Sequence, residues 1–153
     1  MYYLIVLFIV ILDQIVKQLV RVTMHLGESI AVVENLFHIT YIQNTGGAFS
    51  ILEGHMMILI LLPAIFTTAI LIYIYKKRNT EHWMLLLSLS LIGGGGIGNV
   101  TDRVRLGFVV DYLDFRVFPV FNIADICVCV GCGLLLLFIL FPRKFEKRKG
   151  AVR

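Results

Sequence analysis

Four long apolar stretches constrain this sequence more than any other feature, because each is long enough to cross a bilayer as a helix. A spanning helix needs about 20 mainly apolar residues, and the stretches cover residues 2–20, 56–75, 83–100 and 121–141. With 59% hydrophobic and 16% charged residues, the chain is far more apolar than an ordinary soluble domain. We therefore expect one integral membrane domain over residues 1–153, an all-α membrane protein with four transmembrane helices.

Basic residues cluster on one side of these expected spans. Three of them lie together at 76–78, between the second and third spans, and six more fill the tail at 142–153. Cytoplasmic segments of membrane proteins are enriched in Lys and Arg, so we expect both termini in the cytoplasm and the connections 21–55 and 101–120 on the outer face. Membrane orientation thus accounts for the net charge of +4, and nucleic-acid binding is not indicated.

The first outer connection carries a period-two pattern that is typical of a β-strand. Phe37, Ile39 and Tyr41 alternate with the residues between them, and the alternation ends at the turn sequence Asn-Thr-Gly-Gly, residues 44–47. We therefore expect a small extracytoplasmic β-sheet in this connection.

The third span contains a run of glycines from Gly93 to Gly96, followed by Gly98. Such a run is costly for a helix in water, but in lipid small residues let helix backbones approach closely. Gly94 and Gly98 are four residues apart, so we expect them to mark a face where this span packs tightly against a neighbour.

Three ionisable residues occupy the second half of the first span and its end. Asp13, Lys17 and Arg21 are spaced four residues apart, so they share one face of a helix, and Asp13 can pair with Lys17. A charge at the bilayer centre costs at least about 2.5 to 3.5 kcal/mol on insertion scales. These residues must therefore either be neutralised by a partner or have a function. A structural ion pair and a substrate-facing role both remain open.

A second set of polar residues lies near the outer ends of spans three and four. Its members are Asn99, Asp102, Arg103, Asp111, Asp114, Asn122 and Asp125. Helical spacing places Asn99 beside Asp102, and the adjacent Arg103 predicts a mutually neutralising pair with that acid. Asn122 can cap the fourth helix, with Asp125 as its third residue, where a carboxylate interacts favourably with the helix dipole. Each helix end thus presents an amide next to an acid.

Asp111 is the acid that a structural role explains least. It lies in the apolar sequence FVVDYLDF, residues 108–115, where desolvation would raise the pKa of its carboxyl group. A protonated carboxyl can act as a general acid, whereas an ionised partner can activate water. Peptide hydrolysis by two aspartates requires both, and we expect Asp111 to hold the proton and Asp125 to be ionised.

Five short motifs occur along the chain in a fixed order. They are Asp13-Gln14-x-x-Lys17, Asn44-Thr45-Gly46-Gly47-Ala48-Phe49, Gly98-Asn99-x-x-Asp102-Arg103, Val109-Val110-Asp111-Tyr112 and Phe118-Pro119-x-Phe121-Asn122-x-Ala124-Asp125. Together they resemble the bacterial lipoprotein signal peptidases, also called signal peptidase II. The likeness extends over nearly the whole chain, and several spaced motifs in one order are far more specific than any single motif.

The resemblance implies an aspartic endopeptidase of the bacterial cell membrane, with its site near the outer leaflet. Such an enzyme removes the signal peptide of a prolipoprotein by cutting before a cysteine that carries diacylglycerol, without metal or cofactor. The resemblance implies that Asp111 and Asp125 are the catalytic dyad. Residues expected to line or support the site are Asn44, Asn99, Arg103, Asn122, Asp13, Lys17 and Asp102. We expect a monomer whose partners are prolipoprotein substrates and membrane lipids, with no nucleic acid.

Two positions depart from the family pattern in this sequence. Gln43 stands where arginine is usual, and Gly47 stands where alanine is usual. Neither residue belongs to the expected dyad. Because an arginine could contact a lipid headgroup or a peptide backbone, we expect its loss to alter substrate affinity more than the chemical step.

Other functions are conceivable from the residues alone. Asp13 and Asp102 could serve a small proton-coupled transporter or channel subunit, since acids inside membranes often mark proton paths. However, transporters tend to be built from repeated halves, and this sequence shows no internal repeat. Ser50 with Lys17 would suit a serine-lysine peptidase, and the four histidines would suit a zinc peptidase, although they lack the spacing of zinc ligands on a helix.

Overall fold

Four helices and a small sheet make up the part of the chain that this computed structural model describes, residues 1–47 and 54–141. The helices are α1 Tyr2–Thr23, α2 Met56–Lys77, α3 Trp83–Leu106 and α4 Ile123–Leu140, and the strands are β1 Ser29–Val33, β2 Phe37–Asn44 and β3 Val109–Asp114. Each helix is long and apolar enough to cross a membrane, which confirms the predicted fold class. The expected cytoplasmic tail at 142–153 lies outside the described residues, as do Ala48, Phe49 and Ser50.

Three helices extend beyond the apolar stretches that predicted them, α1 and α3 by the most. The first continues to Thr23 and the third to Leu106, rather than ending near residues 20 and 100. Their last turns contain Arg21 and Arg105, where a cation interacts favourably with the helix dipole. Polar residues therefore end the apolar pattern without ending the helix. Helix α3 is capped by Gly107, whose φ of 79° lies in the left-handed region that glycine adopts readily.

Helix α4 begins with a reciprocal pair of hydrogen bonds between its cap and its third residue. The side chain of Asn122 accepts a hydrogen bond from the backbone N–H of Asp125 at 3.0 Å. The carboxylate of Asp125 in turn accepts one from the backbone N–H of Asn122 at 3.1 Å. This capping box confirms the predicted role of Asn122 as the N-cap. It also fixes the position of the Asp125 side chain.

Glycines of α3 bring the other helices close to its backbone. A Cβ atom added at Gly94 would lie 3.0 Å from the Cβ of Ile9, and one added at Gly98 would meet the carboxylate of Asp13, so both glycines face α1. A Cβ at Gly95 would collide with the backbone of α4. The predicted tight packing at Gly94 and Gly98 is confirmed, and it brings α1 and α4 close to the backbone of α3.

The sheet is antiparallel, with strand order β1-β2-β3. Only β2 was expected, from the alternation that starts at Phe37. The pattern missed β3 because Val109 to Tyr112 are all buried, and a strand buried on both faces loses its polar alternation. The pattern also missed β1. Every residue of Ser29–Val33 is exposed, so this strand has no buried face that would alternate with an exposed one.

A buried cluster fastens this sheet to the end of α1. Val20 and Met24, from the end of the helix, pack against Tyr41 of β2 and against Val110 and Tyr112 of β3. Burial of such side chains is worth roughly 1.5 to 3 kcal/mol each. Strand β3 is therefore held rigidly over the ends of the helices, and Asp111 lies between two members of this cluster.

Candidate active site

Most of the polar residues expected in the site converge on one cavity of about 610 Å³ between the sheet and the helices. Those in its wall are Asn44, Asn99, Arg103, Asp111 and Asp125. Asn122 is fully buried and reaches Asp111 at 2.7 Å. Asp13, Lys17 and Asp102 do not line the cavity. The structure thus separates the expected residues into a lining group and a supporting group.

Asn122 connects the two aspartates of the expected dyad. Its side-chain Nδ2 donates a hydrogen bond to Oδ1 of Asp111 at 2.7 Å, and its backbone N–H donates one to Oδ2 of Asp125 at 3.1 Å. One acid comes from β3 and the other from the first turn of α4. Because a single residue holds both carboxyl groups, their relative position is fixed by the start of α4.

The side chain of Asp111 is buried, with 2% of the residue's surface exposed. Oδ2 accepts a hydrogen bond from Nδ2 of Asn44 at 2.9 Å, and Oδ1 accepts the bond from Asn122. Desolvation raises the pKa of Asp111 to about 6, and the negative charge of Asp125 acts in the same direction, while the two amide donors oppose it. The direction agrees with the expectation from its apolar neighbours in the sequence.

Asn99 is placed between Lys17 and Asp125. Its Oδ1 accepts a hydrogen bond from Nζ of Lys17 at 2.8 Å and another from Asn122 at 3.2 Å. Its Nδ2 donates to Oδ1 of Asp125 at 2.7 Å. An ammonium group can only donate, so the amide oxygen must face Lys17. The amide nitrogen is then directed at Asp125.

Lys17 is the centre of the supporting group, although only 2% of its surface is exposed. Its ammonium lies 2.9 Å from a carboxylate oxygen of Asp13 and 3.0 Å from one of Asp102. Asp13 also accepts a hydrogen bond from the backbone of Ala124, and Asp102 accepts one from the backbone of Val110, both at 3.1 Å. The predicted Asp13 to Lys17 pair is confirmed, and the group joins α1, α3, β3 and α4.

The prediction of a neutralising ion pair between Asp102 and Arg103 was wrong. Consecutive residues of a helix point in different directions and do not face each other, so Asp102 turns toward Lys17 and Arg103 turns toward the cavity. Nη2 of Arg103 donates a hydrogen bond to the carbonyl oxygen of Gly46 at 2.8 Å. Its Nε is buried, and among the described residues it has no hydrogen-bond partner. The wall of the cavity that holds the two aspartates therefore contains a buried, unpaired donor.

This arrangement gives no support to the alternatives considered from the sequence. A proton path needs acids that exchange protons, whereas Asp13 and Asp102 are buried around one ammonium group. Lys17 is surrounded by carboxylates, which suits an ion pair and not a general base. Ser50, the other half of the serine-lysine hypothesis, lies outside the described residues.

The remaining wall of the cavity is mostly apolar. It is formed by Ile42, Val109, Phe118, Pro119, Val120, Phe121, Val128 and Cys129, together with Gln43, Thr45, Gly46 and Gly47. Sequence reasoning missed Cys129, although it follows Asp125 by four residues and so shares its helix face. It also missed Gln14, whose amide donates to Asp102 at 2.8 Å. Polar groups at one side and apolar groups at the other suit a ligand that is mainly hydrophobic.

Comparisons with known proteins identify a single class. Residues 5–141 match the family model described as Signal peptidase (SPase) II. The lipoprotein signal peptidase of Halothermothrix orenii is 48% identical over 139 residues, which cover 91% of this chain and 94% of that protein. The lipoprotein signal peptidase of Desulfitobacterium hafniense strain DCB-2 is 42% identical over 138 residues, covering 90% and 91%.

Solved structures agree with the sequence comparisons. A bacterial membrane enzyme determined by the in meso method at 2.3 Å resolution matches with a TM-score of 0.88 and 33% identity, over 99% of this chain and 94% of that chain. A second bacterial membrane enzyme, determined by the same method at 1.9 Å resolution, matches with a TM-score of 0.81 and 34% identity, over 91% and 92%. The fold of this chain is therefore similar to that of known bacterial membrane enzymes.

Proposed function

Because this chain belongs to the signal peptidase II family, we propose that Asp111 and Asp125 are the catalytic acids of a peptidase that cuts a prolipoprotein before its diacylglyceryl-modified cysteine. The family consists of aspartic endopeptidases that remove signal peptides from lipoproteins, and this multi-pass membrane protein is one of them. The observation that carries the assignment is the single residue, Asn122, that binds both carboxyl groups at one cavity.

The two acids can divide the chemistry of peptide hydrolysis between them. In the proposed reaction, an ionised Asp125 takes a proton from water, and the water oxygen attacks the carbonyl carbon of the scissile bond. A protonated Asp111 donates a hydrogen bond to the carbonyl oxygen and stabilises the tetrahedral intermediate. When the C–N bond breaks, Asp125 gives the proton that it took from water to the leaving nitrogen, and the products are a carboxylic acid and an amine.

The surroundings of the acids support this division of roles. Burial raises the pKa of Asp111 to about 6, which favours a proton on this group. Asp125 accepts hydrogen bonds from the amide of Asn99 and from the backbone of Asn122, and both groups can only donate. A carboxylate in the first turn of α4 also interacts favourably with the helix dipole. Asp125 is therefore the better partner for activating water.

Arg103 is proposed to hold the substrate backbone. It lies in the cavity wall with Asp111 and Asp125, and one of its nitrogens is already fixed by the carbonyl of Gly46. Its buried Nε has no partner among the described residues, and leaving a buried donor unpaired costs about 1 to 3 kcal/mol. If the guanidinium turns toward a bound peptide, a carbonyl of the substrate would satisfy this donor and place the scissile bond over the acids.

The apolar wall fits the proposed substrate. Phe118, Phe121 and Val128 line the cavity, and they would contact the apolar signal peptide or the acyl chains on the cysteine. The basic residues at 76–78 lie at the other end of the helices, in the last turn and the cap of α2. Since such basic segments remain in the cytoplasm, we place the cavity at the outer leaflet and both termini in the cytoplasm.

Purified protein and a synthetic prolipopeptide test the proposal directly. We expect Asp111→Asn and Asp125→Asn to lower cleavage by about 10² to 10⁴-fold, the usual contribution of general acid-base catalysis. Asp114→Asn is the matched control, because Asp114 lies on the same strand as Asp111 but bonds to Thr40 and Arg116 instead of lining the cavity. Full cleavage by either dyad variant would refute the assignment.

A second comparison tests the substrate class. The same peptide is prepared with and without diacylglycerol on its cysteine, and both forms are given to the wild-type protein. We expect cleavage of the lipidated form only. Equal cleavage of the two forms would contradict a requirement for the lipid, while leaving the aspartic mechanism intact.

A further inference from the structure

A second cavity, of about 210 Å³, lies between α1 and α3 and shares no residue with the wall of the candidate active site. It is lined by Gln14, Lys17, Gln18, Arg21, Asp102, Arg105, Leu106 and Val110. Arg21 belongs to the last turn of α1 and Arg105 to the last turn of α3. The cavity therefore lies at the end of the two helices that adjoins the sheet, where a spanning helix reaches the membrane surface.

The positive charges in this cavity are only partly balanced. Lys17 is paired with Asp13 and Asp102. Nη1 of Arg21 donates a hydrogen bond to the neutral side chain of Gln18 at 3.1 Å. Within residues 1–47 and 54–141, no carboxylate forms an ion pair with Arg21 or Arg105. Lys17, Arg21 and Arg105 are positively charged, and Asp13 and Asp102 are negatively charged. The net charge of these five groups is therefore +1, which a single anion would neutralise.

Exposed apolar side chains near the cavity indicate which kind of molecule carries such an anion. Leu19, Val22 and Val104, on the same two helices, are 54%, 65% and 64% exposed, and on spanning helices these apolar side chains face lipid. The two arginines therefore lie where lipid chains meet their headgroups. Arginine binds phosphate oxygens in a bidentate manner, so a cavity with two arginines at this depth suits the phosphate of a lipid headgroup.

We propose that Arg21 and Arg105 bind the phosphate of an anionic phospholipid in the leaflet on the sheet side of the membrane, with Gln18 next to the headgroup. The space equals that of about seven water molecules, enough for a phosphate and a small polar alcohol. The bound lipid would bridge the ends of α1 and α3 and so stabilise the bundle.

The cavity favours an anionic lipid over a zwitterionic one. An ammonium headgroup would need an acceptor, and Asp102 is the only carboxylate among the described residues of the cavity wall. Its Oδ1 already accepts a hydrogen bond from Gln14, and its Oδ2 is occupied by Lys17 and by the backbone of Val110. A second positive charge would therefore find no partner there, whereas a glycerol hydroxyl could bond to Gln18.

Lipid titrations of the purified full-length protein in neutral detergent test the proposal. Melting temperature and lipid affinity are measured with phosphatidylglycerol, phosphatidylcholine and inorganic phosphate. We expect phosphatidylglycerol alone to raise the melting temperature of the wild-type protein. Two arginine to phosphate contacts predict a roughly 30-fold weaker affinity for this lipid in Arg21→Gln/Arg105→Gln. The matched control, Lys76→Gln/Lys77→Gln, removes two charges at the other membrane surface and should bind as the wild type does.

The alternatives give different results in the same experiment. Equal stabilisation by phosphatidylcholine would overturn the preference for an anionic lipid, and equal stabilisation by inorganic phosphate would overturn a lipid as the ligand. Unchanged affinity in the arginine variant would mean that the arginines interact only with the helix dipoles. If that variant does not fold, native mass spectrometry of the wild type decides, because retention of both lipids to the same extent would overturn the proposal.

Discussion

Nζ of Lys17 lies 2.8 Å from Oδ1 of Asn99, and this contact determines which end of the Asn99 amide faces Asp125. The lysine does not line the cavity with the two acids. It acts on the proposed reaction through Asn99, through the carboxylates that it neutralises, and through its positive charge, which lowers the pKa of Asp111. A buried charge cluster in α1 is thereby coupled to the geometry of an acid in α4. This relationship makes Lys17 a positioning residue.

Lys17→Met is predicted to destabilise the protein strongly. The change leaves Asp13 and Asp102 as buried acids without their cation, and removing one partner of a buried pair costs about 3 to 5 kcal/mol. Thermal unfolding in detergent measures the loss. Lys77→Met is the matched control, because Lys77 also pairs with an acid four residues away, Glu81, but at 3.8 Å and with both side chains partly exposed. Exposed pairs contribute about 0 to 1 kcal/mol, so equal losses in the two variants would contradict the role of Lys17.

The raised pKa of Asp111 predicts how cleavage depends on pH. If this carboxyl must be protonated, kcat/KM falls as the pH rises through its pKa of about 6. The hydrogen bond from Asn44 favours the ionised carboxylate and so lowers this pKa. Asn44→Ala should therefore raise the pKa of Asp111 and move the falling limb of the profile to higher pH.

A pH series on wild type, Asn44→Ala and Asp114→Asn measures the position of this limb. Asp114 forms its hydrogen bonds with Thr40 and Arg116, so its variant should leave the limb in place. A shift to lower pH in Asn44→Ala would show that another group loses the proton. Asp111 would then not be the general acid.

The sequence predicted the membrane fold because each span is a mainly apolar stretch long enough to cross a bilayer. It also predicted the capping role of Asn122, since capping depends on residues only three positions apart. The partner of Asp102 could not be predicted in this way, because Lys17 comes from a different helix and only the packing of α1 against α3 brings the two together. Strand β3 was missed because burial on both faces removed the alternation that identifies a strand.

Gly98→Ala is predicted to destabilise the helix bundle. A Cβ atom at this position would meet the carboxylate of Asp13 and would lie 3.3 Å from the Cβ of Ala124, so α1 or α4 would have to move. Overpacking of this kind typically costs about 1 to 3 kcal/mol. Gly133→Ala is the matched control, because a Cβ there would have no neighbour within 4 Å. Thermal unfolding should separate the two variants, and equal melting temperatures would show that the contact at Gly98 can relax.

Gln43→Arg is predicted to tighten substrate binding without changing the chemical step. Gln43 lines the cavity that contains the two acids, and its amide donates to the hydroxyl of Tyr41 at 2.9 Å. It does not contact either aspartate. An arginine here would offer five donors to a lipid headgroup or a peptide carbonyl, so KM should fall while kcat stays constant, as expected for an interaction made equally in the ground and transition states. Gln43→Met, which has a similar length but no donor, is the control. A KM that is the same in all three proteins would show that this position does not contact the substrate.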